Sequence, residues 1–125
     1  MGTTAGAERE QHLRALEYAN RVRRARARMK LKVASGELSA ATVVMSCPWQ
    51  AHSMPIDELL MSQRRWGRAR CKRLLTSLSV PENKPIGTLT DRQRMALAAM
   101  LTAKAAQESA EAARPMAPQR VLTAA

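Results

Sequence analysis

Residues 7–34 contain neither glycine nor proline, and they are dominated by alanine, leucine, arginine, glutamate and lysine. Because these residue types have high helix propensity, the segment predicts one long helix over residues 7–35, about 40 Å in length, after a flexible stretch at residues 1–6. Its apolar residues form only a partial stripe, which predicts that one narrow seam is buried against a smaller body. The positions of that stripe are Leu13, Leu16, Tyr18, Val22, Ala25, Met29 and Val33.

The remainder of the chain predicts shorter helices and no strand. They are expected at residues 40–46 with Ser39 as cap, at 55–63, from the 64–68 segment to about 78, and from Thr90 to about 111. The chain has no Phe, two Trp and one Tyr, so its core must be built from Leu, Met, Val and Ala, which suits helices. The expected fold is all-α: a long N-terminal helix packed on a small helical domain, with 7–111 as the folded unit and 112–125 as a disordered tail.

A run of cations inside the long helix indicates the class of partner. Seven basic residues and no carboxylate lie between Glu17 and Glu37. They are Arg21, Arg23, Arg24, Arg26, Arg28, Lys30 and Lys32. Cations this close repel one another, so a polyanion would relieve an electrostatic cost of the folded state. With a formal net charge of +11, most of it from arginine, nucleic acid is the indicated partner, and a solvated charged face is the alternative for this run alone.

A second basic cluster surrounds Trp66 and Gly67, in a stretch without acidic residues between Glu58 and Glu82. Its cations are Arg64, Arg65, Arg68 and Arg70, followed by Lys72 and Arg73. A new helix is expected to begin here, and the free N–H groups of a helix N-terminus bind phosphate. Gly67 would let a sugar–phosphate backbone approach the main chain closely. The alternative is a tight connection between two helices, with arginines that are merely solvated.

The tryptophans and cysteines are expected to be structural. Trp49 is expected in the core, with contact to a neighbouring helix as the alternative, and Trp66 is expected in the core, with a wedge against a sugar or base as the alternative. Cys47 and Cys71 lie far apart in sequence, and free thiols in the core are the expected state, although a disulfide stays possible.

Several classes of function find no support in the sequence. No stretch approaches the roughly 20 apolar residues of a membrane span, and the N-terminus does not resemble a signal peptide. The scattered carboxylates form no nucleophile–base constellation, and no glycine-rich phosphate motif occurs, so no enzyme activity is expected. No metal or other cofactor is expected either, because His12 and His52 do not complete a site with the cysteines.

Three short motifs follow one another along residues 10–101. They read A-L-E-Y-A-N at 15–20 with R-R-A-R-A at 23–27, P-I-D-E-L-L at 55–60 with W-G-R-A-R-C at 66–71, and D-R-Q-R-M-A-L at 91–97. In this order and spacing the motifs resemble those of the actinobacterial (mycobacterial-type) integration host factors, small nucleoid-associated proteins with a helix–two-turns–helix module. Identity outside the motifs is low, which indicates a diverged relative, such as one encoded by a phage.

The resemblance implies a helix–two-turns–helix core at residues 53–104 that binds double-stranded DNA with little sequence preference. It also implies that the protein bends or bridges DNA, supports an integrase in recombination, and lies with the nucleoid in the cytoplasm, or in the host cytoplasm for a phage protein. A monomer is expected. The family's arginine-rich approach to the last helix is replaced here by K-P-I-G-T-L-T at 84–90. The expected DNA-binding residues are Arg21, Arg23, Arg24, Arg26, Arg28, Lys30, Arg64, Arg65, Trp66, Gly67, Arg68, Arg70, Lys72, Arg73 and Lys84.

Two other functions stay open at this point. The same module occurs in a ribosomal protein family, so structured RNA is an alternative partner. An interaction protein directed at an acidic protein of a host is the other alternative, since an arginine-rich helix suits any acidic surface.

Overall fold

The computed structural model describes residues 2–113 of the chain, and this part is all-α, as predicted. The helices are α1 (Gly2–Ser35), α2 (Ala40–Ser46), α3 (Ile56–Met61), α4 (Arg68–Ser77) and α5 (Asp91–Ala113). Two single 3₁₀ turns, Trp49–Ala51 and Ile86–Thr88, lie in the connections. No strand occurs among the described residues, where only an isolated bridge joins Pro55 and Pro85. Of the tail predicted at residues 112–125, residues 112 and 113 belong to α5, and the others lie outside the described part.

The long first helix touches the rest of the protein only near its C-terminal end. It begins at Gly2, ahead of the predicted start at residue 7, because nothing in that stretch stops a helix from adding one hydrogen bond per residue. Residues 5–21 are all exposed, and Met29 and Val33 are the buried side chains of α1 among those described. The predicted seam is therefore wrong over its first half, where Leu13, Leu16 and Tyr18 face solvent.

Local sequence signals set the helix ends. Ser39 accepts a hydrogen bond from the Thr42 amide at 3.1 Å and caps α2. Thr90 and Gln93 form a reciprocal capping box on α5, with distances of 3.1 Å from the Gln93 amide to Thr90 Oγ1 and 3.0 Å from the Thr90 amide to Gln93 Oε1. Gly36, at φ +84°, adopts the left-handed conformation that ends α1. These caps confirm the predicted starts of α2 and α5.

The core lies where the short helices meet α5. α2 packs chiefly against α5 and α3 against α4. The largest fully buried side chains are Met54, Ile56, Leu59, Leu60, Leu75, Ile86 and Leu97. All of them are aliphatic or Met, as the lack of Phe predicts. α3 ends at Met61 rather than near residue 63, because the chain turns at Ser62 toward the basic cluster.

A buried set of main-chain contacts fixes the loop before α5. The Ile56 amide donates to Lys84 O at 2.9 Å and the Ile86 amide to Met54 O at 3.0 Å, which joins the loop to the start of α3. Arg94 donates to the carbonyl oxygens of Val44, Ile86 and Leu89 and so fastens α2 and the loop to α5. Because a charged donor makes a stronger hydrogen bond to a carbonyl than a neutral donor does, these contacts of Arg94 hold the loop in place although it forms no strand.

The tryptophans differ in burial. Trp66 is 6% exposed and belongs to the core, which confirms the prediction for this residue. Trp49 is 52% exposed, so its predicted core position is wrong. Its ring instead lies beside Tyr18 of α1, with ring centroids 6.4 Å apart. The reason is that the 3₁₀ turn buries Ala51, which directs the neighbouring Trp49 ring outward.

Candidate nucleic-acid interface

The cations of residues 21–32 in α1 divide into two faces. Arg21, Arg24 and Arg28 follow the i, i+3, i+7 spacing of a single helix face, and all three are exposed. None of the three makes a side-chain hydrogen bond or ion pair with residues that the structure describes. Lys32, one turn beyond Arg28, is exposed on the same face. We call Arg21, Arg24, Arg28 and Lys32 the outer face of α1.

The other cations of the 21–32 run lie toward the body of the protein. Arg23, Arg26 and Lys30 repeat the same spacing and line a groove together with Ser53 and Glu58. Arg26 donates to Gln50 O at 2.7 Å and to Ser53 Oγ, and Lys30 Nζ lies 3.9 Å from Glu58 Oε1. Two of these predicted DNA-binding residues are thus engaged inside the protein, where they hold α1 against the 49–58 segment.

The basic turn between α3 and α4 rests on the core. The Trp66 amide donates to Gln63 O at 3.3 Å and closes a turn in which Arg65 has a positive φ of 69°. Because Trp66 fills the core below, the side chains of Arg64, Arg65 and Arg68 are left exposed above it. We call Arg64, Arg65 and Arg68 the turn cluster.

The start of α4 presents main-chain donors beside the turn cluster. Gly67 precedes α4 with φ −87° and ψ 175°, an extended conformation open to any residue, and it supplies no side-chain cap. The first amide of α4 bonded within the helix is that of Cys71, which donates to Gly67 O at 3.1 Å. The amides of residues 68–70 therefore keep the free N–H groups of a helix N-terminus, next to three guanidinium groups. A Cβ at position 67 would meet nothing within 4 Å, so open space surrounds this point.

Arg70, another predicted site residue, points back into the protein. Its guanidinium carbon lies 4.0 Å from the centre of the Trp66 ring, and the same group pairs with Glu108 of α5. Lys84 is likewise engaged, since its Nζ donates to Gln93 Oε1 at 2.9 Å. Lys72 and Arg73 are exposed on α4. The expected cations are therefore brought together only in part: the outer face and the turn cluster stay available to solvent.

A groove lies between the C-terminal part of α1 and α3. It is lined by Ala27, Lys30, Leu31 and Ala34 of α1 and by Glu58, Met61 and Ser62 in and after α3. Because the turn cluster follows Ser62 directly, it lies on the flank of the C-terminal part of α1. Lys32 is not among the residues predicted to bind DNA, although its place one turn after Arg28 indicates that it shares the same face.

Burial and charge also affect a thiol below the turn. Burial, with the Asp57 carboxylate as a second cause, raises the pKa of Cys71, so the group stays a protonated core thiol. Both cysteines are free, and Cys47 is half-buried. No three His, Cys, Asp or Glu side chains within the described residues form a group that could hold a metal ion. No helix in residues 2–113 is long and apolar enough to cross a membrane.

Comparison with known proteins relates the fold to a DNA complex. No protein-family model matches the chain, and no curated protein matches it. Among solved structures, that of sIHF bound to an 8 bp palindromic DNA is similar, with a TM-score of 0.63 and 24% sequence identity over 68% of this chain and 98% of the other. The chain has the fold of sIHF. The integration-host-factor-like fold expected from the motifs is thereby confirmed.

Proposed function

We propose that this protein binds double-stranded DNA through its phosphates, with little preference for sequence, as an integration-host-factor-like protein of the nucleoid. The observation that carries the proposal is the pair of unshielded cationic surfaces, the outer face of α1 and the turn cluster. The shared fold with sIHF, which was solved bound to DNA, supports the same conclusion. Arginine on both surfaces suits bidentate contacts to phosphate oxygens.

At the turn, main chain and side chains act on one phosphate. The free amides of residues 68–70 donate hydrogen bonds, the α4 dipole favours an anion, and Arg64, Arg65 and Arg68 supply full charges around the same point. Because the helix start is held by the core, these donors keep their directions before DNA arrives. Such contacts position the duplex and carry no base information.

On α1 the contacts follow the helix axis. Arg21, Arg24, Arg28 and Lys32 extend over about three turns, or about 16 Å, and therefore span several phosphates of one strand. The turn cluster is displaced to the flank of α1, so a straight duplex that follows the outer face would have to curve to reach the turn as well. We infer that the protein bends DNA, and that bending improves binding to sequences that deform easily.

The test is a salt titration of binding to a short duplex. Neutralising about six phosphates gives a log–log slope near −5, and binding should be nearly equal for unrelated sequences of the same length. A shallow slope would contradict phosphate-driven binding. Energy transfer between the ends of a labelled duplex measures the bend, and an unchanged end-to-end distance on binding would contradict that part of the proposal.

The remaining parts of the proposal rest on the family resemblance. They are the role in site-specific recombination beside an integrase, the monomeric state, the helix–two-turns–helix character of the α3–α4 unit, the nucleoid location, and an actinobacterial or phage origin. A reconstituted recombination reaction, with and without the protein, tests the first of them. Competition by ribosomal RNA at matched salt tests the alternative partner: RNA that displaces duplex DNA at lower concentration would favour RNA.

A further inference from the structure

Two of the chain's three aromatic side chains lie together on the surface. Tyr18 of α1 is 57% exposed and Trp49 is 52% exposed, with ring centroids 6.4 Å apart and ring planes at 43°. Exposing a large ring forgoes the burial that makes Trp stabilising, and the core, which contains Trp66, lacks any other aromatic residue. Packing in the core therefore does not account for this pair.

The backbone of Trp49 is fixed by its neighbours in the chain and by Arg26 of α1. Arg26 donates to the carbonyl oxygen of Gln50, directly after Trp49, and to Ser53 Oγ, two residues beyond the same turn. Ala51 within the turn is fully buried, and Pro48 precedes it with the fixed φ of proline, −61°. The backbone under the Trp49 ring is therefore anchored to α1 and to the core while the ring faces solvent. Little order has to be gained when a flat ligand stacks on it.

Cations border the Tyr18 side of the aromatic pair. Tyr18, Arg23, Arg26 and Lys30 line one groove of about 510 Å³. Its single carboxylate, Glu58, lies near Lys30 at 3.9 Å and away from Tyr18 along α1, so the Arg23 end of the groove keeps its positive charge. Arg23 is exposed and bonds only to the neutral Asn20 side chain among the described residues.

We propose that Tyr18 and Trp49 form a stacking site for unpaired bases of a nucleic acid, with Arg23 as the contact for the adjoining phosphate. Exposed aromatic rings beside arginine are what single-stranded nucleic acids bind, because every base has a face that can stack. Paired bases inside a duplex offer only their edges, because their faces are covered by the neighbouring pairs, so this site would take an unpaired strand at a nick, a gap or a melted end. The inference rests on the proposed function in taking nucleic acid as partner, but it uses side chains outside the outer face and the turn cluster.

A second copy of the chain fits the aromatic pair less well. Two copies joined there would bring together α1 helices that each carry the same cationic run, and like charges oppose that contact. An acidic protein would match the charge but would leave the rings without a flat partner.

The experiment compares single-stranded oligothymidylate with a blunt duplex of equal length, using the full chain and labelled nucleic acid. Trp49→Ala should lower the affinity for the single strand by about tenfold and leave duplex affinity unchanged, and Trp49→Phe should retain most of the single-strand affinity. Tyr18→Ala is the second variant and should act in the same direction. Met95→Ala, which removes an exposed apolar side chain from α5, is the control and should change neither.

Three outcomes would overturn the stacking site. They are equal losses for single strand and duplex, no loss for either, or a dimer in sedimentation that Trp49→Ala dissociates. A fluorescence signal gives an independent check: single strand should quench the exposed Trp49, and the quenching should vanish in Trp49→Phe. Failure of the proposed duplex binding would be recognised separately, because the wild-type protein would then bind the single strand in a Trp49-dependent way and show no affinity for the duplex.

Discussion

The two cationic surfaces are built on different foundations. The outer face of α1 lies on a helix of 34 residues whose buried side chains, among those described, are Met29 and Val33 near one end. The turn cluster lies on a short connection, but Trp66 and Cys71 are buried directly beneath it. One surface is a long helix held at one end, and the other is a tight turn held by the core.

The difference shows that the two surfaces fix the directions of their charged groups in different ways. At the turn, packing fixes where the donors point, so binding loses little conformational freedom. On α1, only the helix backbone aligns the side chains, so this surface can adjust along the duplex. Each contact there loses more side-chain entropy on binding. We therefore expect the turn to dominate affinity and α1 to extend the contact.

The largest expected effect is on stability, and it distinguishes the turn cluster, which rests on the core, from the surface beside α1. Trp66→Ala should lower the free energy of unfolding by about 3–5 kcal/mol, because it empties the core below the turn and removes the ring under Arg70. Trp49→Ala should cost less than about 1 kcal/mol, since that ring is half exposed. Urea denaturation measures both. Equal losses would contradict the view that the turn, and not the surface beside α1, rests on the core.

Binding should distinguish the two surfaces at equal charge. Changing Arg64, Arg65 and Arg68 to Ala should lower duplex affinity by about 100-fold, and changing Arg21, Arg24 and Arg28 to Ala by about tenfold. Both variants lose three cations, so both slopes against salt should become shallower by about 3. Electrophoretic shift with salt titration measures both quantities. A larger loss from the α1 variant would reverse the comparison.

Helix propensity should matter differently in packed and unpacked segments. Ala15→Gly, in the exposed part of α1, should cost about 1 kcal/mol of local helix stability and reduce helical circular dichroism without moving the urea midpoint. Ala99→Gly in α5 carries the same intrinsic cost, but α5 packs against α2, so there the midpoint should fall. A midpoint shift from Ala15→Gly would mean that the N-terminal part of α1 contributes to global stability.

A smaller effect concerns Arg70, whose ion pair with Glu108 keeps it out of the turn cluster. Glu108→Gln should release Arg70 from its ion pair, raise duplex affinity about threefold and steepen the salt slope by about 1, if Arg70 then reaches a phosphate. Glu111→Gln makes the same charge change at an exposed position of α5. Equal gains from both variants would show that only net charge was responsible.

The smallest effect is a pH dependence from the thiol below the turn. Burial raises the pKa of Cys71 above the value of 9.0 for an unperturbed thiol. The folded state therefore holds this proton more tightly, so the related stability is complete below about pH 9, and it is lost as the pH rises through the higher pKa of the folded state. Denaturation between neutral and alkaline pH measures the loss, and Cys71→Ala should reduce it. An unchanged dependence in Cys71→Ala would assign it to other groups.

Much of the candidate site was predictable, but not the state of each cation. The two clusters and the helix start at residue 68 follow from composition and spacing. The engagement of Arg70 by Glu108, 38 residues away, and of Arg26 by Gln50, 24 residues away, does not, because such partners are set by the packing of distant elements. As a result, residues predicted as equals in sequence divide into outward and inward groups.

Short-range chemistry alone accounts for the all-α class, the caps at Ser39 and Thr90 and the stop at Gly36, since each depends on residues within a turn of one another. Composition alone accounts for the excess of positive charge. Tertiary packing decided which tryptophan entered the core, how little of α1 was covered, and which arginines stayed open to solvent. These outcomes depend on how much apolar surface the short helices can bury together, and that surface is complete without Trp49 or the first half of α1.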